Sequence, residues 1–233
     1  VVPCGVNCNI FKNIDEDRKN EIKKKLGINS QDFIISSVGA MTDNKGIDYL
    51  LAAFALLRKN NNNIKLILKD QSNLYNIKSQ QILDKLKNTK YENLISEDLI
   101  NNIFFISRNM DLSTLNELYN ITDCYVSPYR AEGFNLTPLE AAACGTPIIV
   151  TKGGSTDDYF DEKLGLQIES SIIQNGNLTS LKPKIDSLVE SILSVMENPK
   201  TYGGLNGSEY IKKNFTWYSA VKKLYNIFTN NNV

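Results

Sequence analysis

A pattern of strand, loop, helix and strand around residues 125–154 constrains the fold of this chain more than any other feature. The stretch reads YVSPYRAEGFNLTPLEAAACGTPIIVTKGG. The apolar run Cys124–Val126 predicts a buried strand, and Pro128 ends it because proline cannot donate to a central ladder. The helix that follows is predicted to begin with Thr137 as N-cap and to place Glu140 third, in a capping box. A glycine and a proline end this alanine-rich helix before a second buried strand, so the stretch predicts a βαβ unit.

The loop inside this unit is the predicted functional site. It lies at the carboxyl end of a parallel strand, where open α/β sheets bind ligands. The helix after it aims unpaired backbone amides at the same place, which favours an anion. Two carboxylates, Glu132 and Glu140, flank this position. Carboxylates repel phosphate, so they should face neutral hydroxyls, and a ligand with both groups, such as a nucleotide sugar, satisfies the whole arrangement.

The rest of the chain repeats the alternation of strand and helix. Apolar runs predict strands at 33–38, 64–68, 103–106 and 164–168. Helical spacing predicts helices at 15–26, after residue 46, and at 111–120, 185–196, 207–214 and 217–228. In the helix at 111–120, Leu112, Leu115 and Leu118 are expected to point inward, and the polar segment 172–183 predicts an irregular surface loop. The predicted class is α/β, with a Rossmann-like parallel sheet flanked by helices in a single domain over residues 1–233.

Composition excludes several classes of function. The 26 basic residues equal the 26 acidic ones, so no charge imbalance indicates nucleic acid or a membrane surface. No apolar run approaches the roughly 20 residues that a membrane span needs, and the first residues do not form a signal peptide, which predicts a cytoplasmic protein. The four cysteines form no C-x-x-C pair and histidine is absent, so we expect reduced thiols and no metal site. The triplet Asp15-Glu16-Asp17 is expected to start a helix rather than to bind a cation.

Several ordered motifs resemble one enzyme family. The segment EGFNLTPLEAAACGTPII, in which seven residues separate Glu132 from Glu140, resembles the E-x(7)-E signature of retaining glycosyltransferases of family four. VPCGVN, SVGAMTDNKG and the final KKNFTWYSAVKKLYNIF are similar to further motifs of that family. The resemblance covers most of the chain and implies the C-terminal, donor-binding half of a GT-B glycosyltransferase, with the N-terminal acceptor domain absent from this chain.

The resemblance also implies roles for individual residues. Glu132 lies against the transferred sugar and Lys45 holds the donor diphosphate, so these two are the expected catalytic residues. Glu140 accepts hydrogen bonds from ribose hydroxyls, although the helix signal alone favours a capping role for it. Phe134 fits a core anchor as well as a donor contact. The expected donor-binding residues are Glu140, Gly133, Phe134, Asn135, Leu136, Thr137, Gly39, Ala40, Arg108, Asn109 and Arg130.

Ala40 departs from the family pattern, which usually has arginine at this position. A charged hydrogen bond contributes about 1.5–3 kcal/mol, so its loss weakens diphosphate binding about ten- to a hundred-fold unless another group substitutes. Arg130 and Arg108 are the two arginines that could bind the diphosphate in place of the missing one.

The implied reaction is transfer of a sugar from a nucleoside diphosphate donor to an acceptor hydroxyl with retention at the anomeric carbon. In this reaction the protein is expected to stabilise the developing charge and to position the reactants. No cofactor or metal is expected, the acceptor is undefined, and the chain alone is expected to bind donor weakly without turnover. Two alternatives stay open, a non-catalytic nucleotide-sugar binding module and a GT-B sugar-nucleotide epimerase.

Overall fold

The computed structural model describes residues 2–71, 79–87, 89–176 and 178–230. The strands are β1 (Phe33–Val38), β2 (Ile64–Lys69), β3 (Ile103–Ile106), β4 (Cys124–Ser127), β5 (Ile148–Thr151), β6 (Gly165–Ile168), β7 (Ser170–Asn175) and β8 (Leu178–Pro183). The helices are α1 (Glu16–Lys25), α2 (Ile47–Arg58), α3 (Glu97–Asn101), α4 (Leu112–Asn120), α5 (Leu136–Ala143), α6 (Ile185–Glu197), α7 (Gly204–Asn214) and α8 (Trp217–Asn230).

Strands β1 to β6 form one parallel sheet in the order β3-β2-β1-β4-β5-β6. The chain builds outward from β1 in one direction and then returns to build outward from β4 in the other. Neighbouring strands that lead in opposite directions leave a crevice between their following loops, and ligands bind there in open α/β sheets. The sheet therefore places the loops after β1 and β4 side by side at its carboxyl edge.

Apolar side chains fill both faces of this sheet. Alternate residues of a strand point to opposite faces, so Ile35 packs on one side and Ile34 on the other. Helices α2 and α6 cover the first face, and α1, α4, α5 and α7 cover the second. Cys124 and Cys144 are buried small residues of these clusters, as predicted. The α/β class is confirmed.

Two local predictions are wrong. The segment expected to be an irregular loop forms the antiparallel hairpin β7–β8, and the backbone amide of Leu181 in this hairpin donates to the carbonyl of Arg130 at 2.7 Å. The side chain of Leu112 was expected to point inward but is 50% exposed. The buried side of α4 instead includes Asn116, whose amide oxygen accepts from the backbone of Lys12 at 3.0 Å.

The N-terminal segment is held against the start of the last helix. The backbone amide of Val6 donates to the carbonyl of Phe215 at 2.7 Å. A Cβ atom on Gly5 would lie 2.2 Å from the backbone nitrogen of Trp217, so only glycine fits there. This close approach gives a physical reason for the glycine in the VPCGVN motif.

Candidate functional site

The loops after β1 and β4 are locked together at the carboxyl edge of the sheet. Gly46 has φ +65°, and a Cβ atom on it would lie 1.9 Å from the carbonyl oxygen of Pro128. The backbone amide of Arg130 donates to the carbonyl of Asn44 at 2.6 Å, and the Asn44 side chain donates to the carbonyl of Ala131 at 3.1 Å. These contacts make the two loops a single unit.

Lys45 and Glu132, the two predicted catalytic residues, meet across this junction. The Lys45 ammonium donates to the Glu132 carboxylate, and the two side chains are only 25% and 11% exposed. Gly39 lies beside the lysine, since a Cβ atom on it would be in ordinary contact with Lys45 Cε at 3.6 Å. Sequence reasoning placed both charges at this edge, and the structure adds that they pair directly.

Glu140 lies on helix α5, which follows the loop that contains Glu132. Its carboxylate accepts a hydrogen bond from the hydroxyl of Tyr119 at 3.0 Å. Burial raises the pKa of the Glu140 carboxyl to about 7 from its ordinary value of 4.5, although the Tyr119 hydroxyl acts in the opposite direction. Burial also raises the pKa of Tyr125, while its hydrogen bonds with Thr137 and Val38 act in the opposite direction.

The start of helix α5 differs from the predicted capping box. The helix begins at Leu136, with Asn135 before it in the left-handed region at φ 65° and ψ 72°, and no side chain caps it. The Thr137 hydroxyl contacts the hydroxyl of Tyr125 at 2.8 Å instead, and Glu140 lies beyond the first turn. The capping interpretation of Glu140 is therefore wrong. Since no side chain caps this end, the first amides of α5 are available to an anion.

Asn135 shapes the turn that leads into α5. Its side-chain amide donates to the hydroxyl of Ser127 at 2.9 Å, and its carbonyl accepts from the hydroxyl of Tyr159 at 2.9 Å. Gly133 beside it faces open space, since a Cβ atom there would contact nothing within 4 Å. Phe134 packs on Tyr159 with ring centroids 5.3 Å apart, which favours its role as an anchor in the core. A ligand can therefore approach the backbone at Gly133.

Arg130 stabilises the loop junction. Its guanidinium contacts the Asp48 carboxylate at 2.9 and 2.6 Å, donates to the carbonyl of Asp43 at 2.5 Å, and lies 4.5 Å from the ring centroid of Tyr49. A bidentate pair of this kind fixes both partners. Its direct contact with a donor stays a prediction.

The other predicted residues are divided between two places. Gly39 and Ala40 line a small cleft that also includes Lys45 and Asn135. Arg108 is exposed and lines a separate cavity of about 140 Å³ between α1 and α4. Asn109, next to it, is also exposed. Arg108 and Asn109 belong to the loop after β3, which was expected to lie along the nucleotide base. The structure does not bring the Arg108 side chain into the cleft that contains Ala40.

Sequence reasoning missed the tyrosines beneath the site and a lysine beside it. Tyr119 and Tyr125 are fully buried, and their rings contact each other with centroids 5.7 Å apart. A tyrosine in an otherwise apolar strand or helix face signals a buried hydroxyl that needs a partner. Lys69, the last residue of β2, is 7% exposed, and its ammonium donates to the carbonyl of Asp70. β2 reads IKLILK, and a lysine at the end of this largely apolar strand was the available signal for this position.

The described residues show neither a cluster of metal ligands nor a helix suited to a membrane. In the described ranges, histidine, cysteine, aspartate and glutamate side chains form no group of three or more that could hold a metal ion. Asp15 accepts a hydrogen bond from the backbone of Arg18 at 2.8 Å and caps α1, as predicted for the acidic triplet. None of the described helices combines the length and apolarity that a membrane span requires.

Solved structures define the class of this fold. The chain matches sucrose-phosphate synthase from Thermosynechococcus elongatus with a TM-score of 0.74 and 23% identity, over 98% of this chain and 51% of that one. It matches HepE from Anabaena, crystallised with UDP and glucose, with a TM-score of 0.72 and 15% identity, over 97% and 55% of the two chains. The structural neighbours are GT-B glycosyltransferases, and the sheet described above has the fold of one half of them.

The sequence comparison gives the family. The family model described as glycosyl transferases group 1 matches residues 18–214, and the chain belongs to that family. The alpha-monoglucosyldiacylglycerol synthase of Acholeplasma laidlawii is 26% identical over 208 residues, which are 88% of this chain and 46% of that relative. The chain spans about half the length of the curated relatives it matches. The resemblance seen in the motifs is confirmed.

Proposed function

We propose that this chain binds the nucleoside diphosphate sugar in a retaining glycosyltransferase that transfers a hexose to an acceptor hydroxyl. One observation carries the proposal. The pairing of Lys45 with Glu132 joins the loops after β1 and β4, and the second of these loops leads into the uncapped start of α5, the helix that carries Glu140. Cations and amides suit phosphates, and carboxylates suit the hydroxyls of ribose and hexose.

Each group has a role in the proposed complex. The backbone at Gly133 and the first amides of α5 receive the diphosphate, and Lys45 adds positive charge beside it. Glu140 accepts hydrogen bonds from the ribose hydroxyls. Glu132, oriented by Lys45, lies against the transferred sugar. We expect the phosphate charge to be met by these groups without a cofactor. Retention and a cytoplasmic location are also predictions.

Donor binding is tested by thermal shift of this chain with UDP-glucose, GDP-mannose and ADP-glucose. A ligand at a hundred times its dissociation constant stabilises the folded state by about 2.7 kcal/mol, which raises Tm by roughly 5–11 °C for a domain of this size. Glu140→Gln is expected to reduce the shift, whereas Glu190→Gln on the exposed side of α6 is expected to leave it unchanged. A wild-type chain that no nucleotide sugar stabilises contradicts the proposal.

Transfer is tested on a longer protein that includes this chain. We propose that the half missing relative to the curated relatives carries the acceptor site, and that the present chain alone produces no transfer. Labelled donor with candidate acceptors measures turnover, and ¹H NMR of the product measures the anomeric configuration. Binding without hydrolysis or transfer favours a non-catalytic module. The alanine at position 40, where the family usually has arginine, is consistent with that alternative. Inversion of the anomer contradicts the retaining part of the proposal.

The last helix, α8, has an exposed apolar surface. Its apolar residues are strongly exposed, including Tyr218 at 77% and Phe228 at 68%. Exposed apolar areas of this kind mark interaction sites. We propose that the protein's own N-terminal domain covers part of this face. Hydrogen exchange of α8 should be slower in the longer protein than in this chain, and equal exchange rates contradict the contact.

A further inference from the structure

Lys69 is a buried ammonium at the same edge of the sheet as the proposed donor site. Leu66 and Leu68 pack with α2, whereas Ile67 packs with Leu118 of α4 on the opposite face. Lys69 is two residues beyond Ile67, so it leaves the strand on the side of α4. Burial lowers the pKa of this lysine, while the neighbouring charge of Asp70 acts in the opposite direction.

The neighbours of Lys69 are the loops that were predicted to hold the donor. It pairs in register with Val38 of β1 and with Ile106 of β3. The backbone amide of Gly39 donates to the Lys69 carbonyl at 3.0 Å. Lys69 thus lies between the loop that contains Ala40 and the loop that follows β3.

The ammonium of Lys69 is held by a backbone group. Its ammonium donates to a backbone carbonyl, and within the part of the chain that the structure describes it forms no ion pair. The residues outside that part include no aspartate or glutamate. Burying a lysine side chain is costly, and the neighbouring charge of Asp70 offsets only part of that cost, so this position favours a role with an anionic ligand.

Other cations near this edge already have partners. Lys45 pairs with Glu132, and Arg130 pairs with Asp48. Arg108 lines the separate cavity between α1 and α4. Neither of the two arginines considered as substitutes at position 40 is therefore placed to meet a phosphate beside Ala40.

We propose that Lys69 binds the diphosphate of the donor and supplies the positive charge that an alanine at position 40 does not. This inference rests on the proposed function, because it assumes that a nucleoside diphosphate occupies the crevice. It adds a binding residue from β2 to a site otherwise built by the loops after β1 and β4. The ligand class is a diphosphate joined to a nucleoside, and the contact is made to phosphate oxygen.

The test is isothermal titration of the 233-residue chain with UDP, GDP and ADP, and with the nucleoside that corresponds to the best of the three. Lys69→Met removes the charge while it keeps most of the volume. Lys65→Met is the matched control, because Lys65 leaves the same strand on the same face at the opposite edge, where it contacts Asp32 and Asn102.

We expect Lys69→Met to raise the dissociation constant for the nucleoside diphosphate about ten- to a hundred-fold, the effect of one charged hydrogen bond. Nucleoside affinity should stay within about twofold, and the Tm of the ligand-free variant should not fall. Lys65→Met should leave diphosphate affinity unchanged.

Three results overturn the inference in distinguishable ways. If wild type binds a nucleoside diphosphate and Lys69→Met binds it equally well, the lysine does not contact the phosphates and the proposed function stands. If Lys69→Met loses stability, and loses diphosphate and nucleoside affinity in equal measure, the lysine serves the fold. If the wild-type chain binds none of the three nucleoside diphosphates, the proposed function fails and this inference fails with it.

Discussion

Glu140 should make the folded chain less stable as pH rises from about 4.5 to about 7. Burial raises the pKa of its carboxyl from 4.5 to about 7. At 1.36 kcal/mol per pKa unit, ionising this group costs the folded state about 3 kcal/mol. Because the folded-state pKa lies above the unfolded one, the folded state binds the proton more tightly. The cost is absent below about pH 4.5, grows as pH rises, and is complete above about pH 7.

Glu140→Gln is the perturbation that exposes this cost. Glutamine resembles the protonated acid and can still accept a hydrogen bond from Tyr119. We therefore expect the variant to match wild type near pH 4.5 and to be more stable by about 3 kcal/mol at pH 8, a difference in Tm of roughly 6–12 °C. Urea unfolding between pH 4.5 and 8.5 measures the difference.

Two further variants make the Glu140 measurement specific. Glu190→Gln changes a carboxylate on the exposed side of α6. Its free energy of unfolding should differ from that of wild type by the same amount at every pH in this range. Tyr119→Phe removes the hydroxyl that favours the charged carboxylate, so the stability of this variant should keep falling to a higher pH than that of wild type. A stability gain in Glu140→Gln that is the same at every pH, or a loss that grows with pH, refutes the reasoning.

The remaining predictions concern the junction of the two loops. Lys45→Met leaves the nearly buried carboxylate of Glu132 without its cation, so we expect a loss of about 1–3 kcal/mol in urea unfolding. The double variant with Glu132→Gln should recover most of it, and purely additive losses contradict the pairing. In Gly46→Ala the new Cβ atom would clash with the carbonyl oxygen of Pro128, and alanine would have to adopt a positive φ. We therefore expect a loss of at least about 2 kcal/mol in the free energy of unfolding. Gly176→Ala has the same sign of φ but open space around it, and should cost only about 1 kcal/mol by the same assay; equal costs contradict the close approach of the loops.

The central architecture could be predicted because local signals agree with the fold. The run Phe33–Val38 is the observed strand β1, and Ile103–Ile106 is the observed β3. β3 consists of apolar residues that are β-branched or aromatic, and so does β1 apart from Ser36 and Ser37, as is typical of buried parallel strands. The pair Lys45 and Glu132 could be predicted as members of one site because loops that follow parallel strands share an edge of the sheet.

The capping box could not be predicted correctly because its residues have partners far away in sequence. Thr137 fits an N-cap locally, but its hydroxyl contacts Tyr125. Glu140 fits the third position of a capping box, but it accepts from Tyr119. Proline is tolerated throughout the first turn of a helix, so Pro138 does not fix where the helix begins.

The hairpin and the buried side of α4 were missed for a related reason. Residues 172–183 are polar, and the contact of Leu181 with the Arg130 carbonyl joins segments about fifty residues apart, which no local pattern reveals. Asn116 and Asn120 accept from the backbone of the N-terminal segment at 3.0 and 2.9 Å. A hydrophobicity pattern predicts that asparagine faces solvent, so it does not reveal a buried amide whose hydrogen-bond partners are distant in sequence.

A crystal structure of this chain with the best-binding nucleoside diphosphate tests the central claim most directly. The account predicts phosphates against the backbone between Gly133 and Leu136, and ribose hydroxyls within hydrogen-bond distance of Glu140. A nucleotide bound elsewhere contradicts it. One such place is the cavity of about 410 Å³ at the opposite edge of the sheet, lined in part by Lys19 and Lys23.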